Sequence, residues 1–282
     1  MNRHDVVGMV TSEKAPWELQ EVEVKGATQK WFVNGPQSLR QLYEDNLSDE
    51  PFYAYEDECY TFQEVYRMAA SLAQQLQSRY GVKHGDRVAI AMRNYPEWPI
   101  ALEAITSIGA IAVAINAWWQ PEEIDYAFKL TGVTVVIADQ ERIERISHIA
   151  PESTPHIIAV RAAPSDSTTP IDIHPDDDAV ILFTSGSTGH PKGSVSTHRN
   201  ILAALLSWEV DFVTHFIMEN GEFDQEKIGS AAKSQSTALL AMPLFHVNGL
   251  HAVLLSAFRT QRKIVSMYKW DAATAADIID NE

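Results

Sequence analysis

The residues best placed to do chemistry lie at Thr184–Gly193, TSGSTGHPKG. Four hydroxyls (Thr184, Ser185, Ser187, Thr188), three glycines (Gly186, Gly189, Gly193) and Lys192 fall within ten positions. Glycine lets the backbone adopt positive φ and turn its N–H groups inward, with no Cβ to block a ligand. Successive inward N–H groups make a concavity for anionic oxygens, and a lysine adds a mobile point charge that suits phosphate. The pattern predicts a phosphate cradle contacted by Thr184, Ser185, Gly186, Ser187, Thr188, Gly189 and Lys192. The plainer alternative is a Ser/Gly surface loop between two strands. A Walker P-loop requires Gly directly before the Lys and Ser or Thr after it. Here Pro191 precedes Lys192 and Gly193 follows, which argues against a Walker-type kinase or GTPase.

A second stretch, Pro243–Gly249 (PLFHVNG), closes a predicted strand. In open α/β sheets, ligands bind outside the carboxyl ends of the strands. Alone, His246 reads as a turn histidine without a chemical role. With the cradle upstream, it becomes the candidate catalytic residue.

Thr-Ser-Gly-Ser-Thr-Gly-x-Pro-Lys-Gly at Thr184–Gly193, followed by Thr-His-x-Asn at Thr197–Asn200, resembles the signature of the adenylate-forming superfamily. That superfamily includes acyl- and aryl-CoA synthetases, firefly luciferase and peptide-synthetase adenylation domains. Pro243–Gly249 resembles a second motif of the same superfamily, which implies that His246 sits beside the substrate carboxyl group. The resemblance implies ATP, Mg²⁺ and coenzyme A as cofactors. It implies two half-reactions: a carboxylate attacks the α-phosphorus of ATP and releases pyrophosphate, then the coenzyme A thiol displaces AMP. Amino-acid-activating relatives place an aspartate where this chain has His246, and burying a substrate ammonium without an acidic partner is costly. The implied substrate is therefore a carboxylic acid without an amino group, a fatty acid ahead of an aromatic one. The expected setting is cytoplasmic, with a homodimer as an open possibility. Asn116-Ala117-Trp118-Trp119 stands where such ligases usually show Asn-Pro and an aromatic, a local departure that leaves the two tryptophans open to a core, interface or acyl-tunnel role.

The resemblance runs from about Ser38 to the last residue, roughly the first half of a full-length member. The downstream adenine segment, the Thr–Glu pair, the ribose aspartate, the hinge and the C-terminal lysine do not appear in the 282 residues. The expectation is a piece ending before the rest of its domain and the lid domain, with little or no ligase activity by itself. Two alternatives stay open: an acyl-AMP ligase that delivers to a carrier protein, and a non-catalytic nucleotide-binding module. A Ser/His hydrolase is disfavoured, since no Gly-x-Ser-x-Gly elbow is present.

A net charge of −16 disfavours binding to nucleic acid or to an anionic membrane, both of which need basic surface. The single cysteine, Cys59, provides no intrachain disulfide and fits a reducing compartment. The N-terminus has no apolar signal core. The most apolar stretch, Ile100–Trp119, breaks at Gly109 and reads as core, so no integral membrane span is expected.

Positioning the cradle requires a frame, and the fold class expected is α/β, with parallel-rich sheets flanked by helices on both faces. Residues 1–37 read as an arm without periodicity, 38–175 as a first α/β lobe, and 176–282 as a second lobe carrying the phosphate loop. Ser38 caps a helix at Leu39–Glu44, and Phe52–Tyr55 with Glu58–Tyr60 forms a hairpin. Thr61 and Glu64 make a capping box for a helix stopped by Gly81. Strands at 87–92, 111–115, 133–138 and 156–160 then alternate with helices at 96–108, 121–130 and 141–149, as a covered parallel sheet requires. No glycine-rich dinucleotide fingerprint follows the first of these strands. After the cradle come a strand at 194–196 and a helix at 199–217, with Ile201, Leu205, Trp208, Phe212 and Phe216 close to one stripe. Met218–Thr237 reads as a mobile insertion. A strand at 238–242, a helix at 250–258, a strand at 263–267 and a helix capped by Asp271 complete the chain. Asp176–Asp178 reads as a solvated strand entrance, and no histidine is assigned as a metal ligand.

Overall fold

Strands apolar on both faces must be buried on both, and the six-stranded sheet of this chain shows how. The computed structural model describes residues 1–149, 155–160, 171–184, 190–221 and 236–281. The sheet comprises β5 (Arg87–Ala91), β6 (Ile111–Ala114), β7 (Val135–Ala138), β8 (His156–Ala159), β9 (Asp178–Thr184) and β10 (Lys192–Thr197), in the order β10-β9-β6-β5-β7-β8. Five strands run parallel, and β10 pairs antiparallel with β9. Side chains alternate across a strand. Val88, Ile90, Val135, Ile137, Val180 and Leu182 therefore enter one core, while Ala89, Ala91, Val136, Ala138, Ile181 and Phe183 enter another.

The first core is closed by α3 (Phe62–Ser78), α4 (Glu97–Ser107) and α7 (His198–Asn220); the second by α5 (Pro121–Thr131) and α6 (Gln140–Ile146). Local chemistry sets the ends of these helices. Thr61 and Glu64 form the expected capping box on α3, and Gly132 ends α5 at φ 67°. Thr197 and Asn200 cap α7 reciprocally, so the trailing Thr-His-x-Asn of the motif is a helix start.

A four-stranded sheet combines β3 (Pro51–Tyr55), β4 (Glu58–Thr61), β11 (Ala238–Leu240) and β12 (Ile264–Ser266), in the order β11-β12-β3-β4. Since β9 pairs with β6 and β12 with β3, both sheets take strands from either side of the division expected between residues 175 and 176.

Several expectations need correction. Residues 1–37 hold α1 (Arg3–Val10) and a hairpin of β1 (Leu19–Val24) and β2 (Ala27–Phe32). Val6, Val10 and Phe32 pack with Leu206, Val210, Val213 and Ile217 of α7 in a third core. The buried stripe of α7 continues through these residues, while Trp208 and Phe212 face outward at 45% exposure each. By length and composition α7 could cross a bilayer, but its apolar residues face the first and third cores. The helix continues to Asn220, beyond the insertion boundary expected at Met218; the rest of that expected insertion, 222–235, lies outside the described residues. So does 161–170 of the polar link. The helix expected at 250–258 is a π-helix at Asn248–Leu255 continuing into α8 (Ser256–Thr260), and α9 (Ala272–Asn281) follows β12. Asp176 and Asp177 are paired instead of solvated: Asp176 accepts from Nε and Nη2 of Arg199, and Asp177 meets His84 Nε2 at 2.8 Å.

Candidate functional site

β9 ends on Thr184, and β10 begins on Lys192 directly opposite it in the register. The chain between them leaves from the carboxyl end of β9, where parallel α/β sheets bind ligands. Ser185, Gly186, Ser187, Thr188 and Gly189 of the predicted cradle lie outside the described residues. Thr184 and Lys192 are exposed, and Thr184 Oγ1 donates to the Lys192 carbonyl at 3.5 Å. His190 stacks on Tyr126 of α5, with ring centroids 4.9 Å apart and planes 22° apart.

Thr184, His190 and His246 line one cavity of ≈ 310 Å³, with Asn116, Trp119, Glu123, Phe183 and Phe245 also in its wall. Of the predicted site residues that are described, Thr184 and His246 thus meet in one space. Lys192 borders a neighbouring cavity of ≈ 390 Å³ with Tyr126, Leu130, Ile181 and Val195. Aromatic rings form part of the first cavity's wall: Trp119 meets Phe183 edge-on at 5.0 Å, and Phe245 lies 4.7 Å from the His246 ring. Glu123 contributes a carboxylate, but its Oε2 is engaged in accepting from the Gln120 N–H at 3.0 Å.

His246 is set by the chain around it. Its N–H donates to the Pro243 carbonyl at 3.1 Å, and its carbonyl accepts from Leu250 at 2.9 Å. Gly249 is obligatory in this turn, because a Cβ there would stand 2.8 Å from the Pro243 carbonyl carbon and 3.1 Å from the Met242 oxygen. Partial burial draws the His246 imidazole below its ordinary pKa, so the ring is neutral at pH 7 and can donate from one nitrogen while accepting at the other. The π-helix that follows is a rare backbone form that concentrates at functional sites.

Asn94, not singled out in the sequence, anchors this turn. Its Oδ1 accepts from Leu244 N at 3.0 Å, and its Nδ2 donates to the Met242 carbonyl at 3.0 Å. Its own carbonyl accepts from Tyr53 and Ser266, tying the turn to β3 and β12. No local pattern marks it, because both side-chain bonds cross about 150 residues of sequence.

Phe245 also walls a second cavity of ≈ 430 Å³, bounded by Arg93, Trp118, Tyr268, Lys269 and Trp270. Trp118 meets Phe245 edge-on at 5.2 Å, and the Arg93 guanidinium lies 4.8 Å over the Tyr268 ring. The first cavity mixes aromatic walls with two imidazoles, an amide, a carboxylate and a hydroxyl; the second joins two cations to exposed indoles. Among the described residues no cluster of three or more His, Cys, Asp or Glu could hold a metal ion.

A family profile described as AMP-binding enzyme matches residues 43–282. Among curated proteins, 4-coumarate–CoA ligase 3 of Oryza sativa subsp. japonica is 26% identical over 234 residues, covering 79% of this chain and 40% of that protein. The inhibitor-bound N-terminal domain of FACL13 from Mycobacterium tuberculosis superposes with a TM-score of 0.70 at 24% identity, over 86% of this chain and 60% of that one. ATP-bound MatB from Rhodopseudomonas palustris gives a TM-score of 0.72 at 22% identity, over 86% of this chain and 48% of that one. The structural likeness at these identities is one of fold. The chain spans about 40% of the length of the curated relatives it matches.

Proposed function

This chain belongs to the AMP-binding enzyme family, and from that premise we propose that the protein it forms part of is an AMP-forming acid–thiol ligase. The observation that carries the reading is the meeting of Thr184, at the end of β9, with His190 and His246 in one cavity. In the first step the carboxylate oxygen of the acid bonds to the α-phosphorus of ATP, and the bond to pyrophosphate breaks. In the second, a thiol sulfur bonds to the acyl carbon and AMP leaves. Neither step requires covalent chemistry from the protein, only positioning and neutralisation of charge.

The β9–β10 turn, with the Lys192 ammonium, would hold the departing phosphates. His246, neutral and at the cavity edge, would donate a hydrogen bond to the carboxyl oxygen that does not attack. Mg²⁺ would arrive with the nucleotide, since the described residues offer it no cluster of His, Cys, Asp or Glu. The second cavity suits coenzyme A as acceptor, because Arg93 and Lys269 match its phosphates and Trp118 and Trp270 offer faces to a purine.

The acid has an apolar body, since it would lie against Trp119, Phe183 and Phe245. The ring-lined wall and the name of the rice relative favour an aromatic acid over the fatty acid expected from sequence. The fatty acid is the second reading, supported by the apolar side chains of Ala114, Phe183 and Phe245 in the same wall. The whole protein, given ATP, coenzyme A and either 4-coumarate or a fatty acid, should release pyrophosphate and form the matching thioester, identified by mass. Pyrophosphate release with carrier-protein acylation instead would make it an acyl-AMP ligase; ATP binding with no acid consumed would make it a nucleotide-binding module.

A further inference from the structure

The loop Asn116–Trp119 walls both cavities, with Asn116 and Trp119 on the first and Ala117 and Trp118 on the second. Neighbouring indoles point to opposite sides only if the backbone between them is fixed. Local bonds fix it in part: Asn116 Oδ1 accepts from Trp118 N at 2.9 Å, and its carbonyl accepts from Trp119 N at 3.1 Å. The remaining constraint comes from α6, more than twenty residues away in sequence.

The Ala117 carbonyl accepts from three guanidinium nitrogens. Arg142 reaches it through Nε at 3.0 Å and Nη2 at 2.9 Å, and Arg145 through Nη1 at 3.0 Å. The same Nη1 of Arg145 donates to the Trp119 carbonyl at 2.9 Å. Arg142 is 1% exposed, and Asp139 Oδ1 and Oδ2, each 3.0 Å from its Nη1, balance its charge. Glu141 pairs with both arginines and accepts from Tyr268 Oη at 3.0 Å, which ties the far wall of the second cavity to the same cluster. Two cations aimed at main-chain carbonyls are more than a helix end requires, and neither arginine lines either of these two cavities.

We propose that Arg145, backed by Arg142, is a positioning residue for the ligation. By gripping the Ala117 and Trp119 carbonyls it holds Trp119 toward the acid and Trp118 toward the acceptor, so one charged cluster sets the walls of both binding sites. The inference rests on the proposed ligase function for its kinetic consequence and on the geometry alone for its structural one.

Arg145 is the residue to change, since it is partly exposed, whereas removing Arg142 would strand the buried Asp139 charge. In Arg145→Gln, amide hydrogen exchange at residues 117–119 should accelerate while exchange in β5 and β7 stays unchanged, and Arg145→Lys should restore part of the protection. In the whole protein, Arg145→Gln should raise KM for the acid and for the acceptor together, each on the order of tenfold or more, with Arg145→Lys falling between. Unchanged exchange at 117–119 overturns the proposal whatever the activity. Faster exchange with both KM values unchanged also overturns it, leaving Arg145 a purely structural group. If the unaltered protein ligates no acid, the proposed function fails, and the exchange result still decides whether Arg145 holds the loop.

Discussion

His198, which follows β10 at the start of α7, joins that helix to α2 (Leu39–Glu44), and its protonation should loosen that joint. Its ring has no exposed surface. Nδ1 accepts the Leu39 N–H at 3.0 Å, so the proton of the neutral ring resides on Nε2, which has no hydrogen-bond partner. Protonating Nδ1 would both break the bond and bury a charge. Burial therefore pulls the imidazole from 6.5 down to about 4, despite the opposing pull of Asp177. A histidine with a depressed folded pKa contributes stability that is complete above its unfolded pKa and is lost as pH falls toward the folded one. The free-energy equivalent of the interval from 6.5 to about 4 is about 3 kcal/mol. His198→Asn keeps an acceptor for Leu39 but cannot titrate in this range. Urea unfolding at pH 7 should therefore show the variant equal to the native chain or slightly less stable. By pH 4.5 the variant should have lost about 2 to 3 kcal/mol less than the native chain. His251, drawn to about 4 by burial alone, adds a parallel loss common to both proteins. Identical pH profiles for the two chains would refute the assignment of a buried, neutral Nε2–H tautomer.

Three further outcomes are expected. Gly249→Ala drives a Cβ into the Pro243 backbone, which cannot yield as a side chain would. The cost should be about 2 kcal/mol or more in denaturant unfolding, and a neutral result would mean that the Pro243–Gly249 turn is looser than described. Glu103 of α4 is 1% exposed, neither oxygen has a partner, and burial raises its pKa well above the carboxylate range. Glu103→Met should be more stable than the native chain at pH 7, with the gain shrinking by about 1.4 kcal/mol per pH unit as the pH falls toward the ordinary carboxyl range; a pH-independent difference would contradict a protonated Glu103. In the whole protein, Lys192→Ala should slow acyl-adenylate formation about a hundredfold, or about 3 kcal/mol, and an unchanged single-turnover rate would remove Lys192 from the phosphates.

What was legible in the sequence was whatever local chemistry decides. The Thr61–Glu64 and Thr197–Asn200 boxes and the left-handed Gly132 fix helix ends through bonds made within a few residues. The inner strands of the six-stranded sheet announce two covered faces by unbroken apolar runs, at residues 88–91, 111–114, 135–138 and 179–183. The segments at Thr184–Gly193 and Pro243–Gly249 stood out because their residue types are unusual together. The contacts that assemble the site were not visible, because they cross the chain: Asn94 reaches the 242–244 backbone, and Arg142 reaches Ala117. The arm at 1–37 was missed for a related reason. Its hairpin is mostly exposed, and α1 buries only Val6 and Val10, so its order comes from α7. Trp208 and Phe212 share a helical stripe with Ile201 and Leu205, but the contact with the arm draws the buried stripe onto Val210 and Val213. Periodicity could not distinguish an α-helix from the π-helix after Val247 either, since the two differ by one residue per hydrogen-bonded turn.

The most direct measurement is ATP–pyrophosphate exchange by the whole protein, with and without a carboxylic acid. Exchange that appears only with an apolar acid, and that falls on substitution of His246 by alanine, is the predicted result. Exchange without any acid, or none with aromatic or fatty acids while ATP still binds, would contradict the claim that the cavity of Thr184, His190 and His246 joins an acid to AMP.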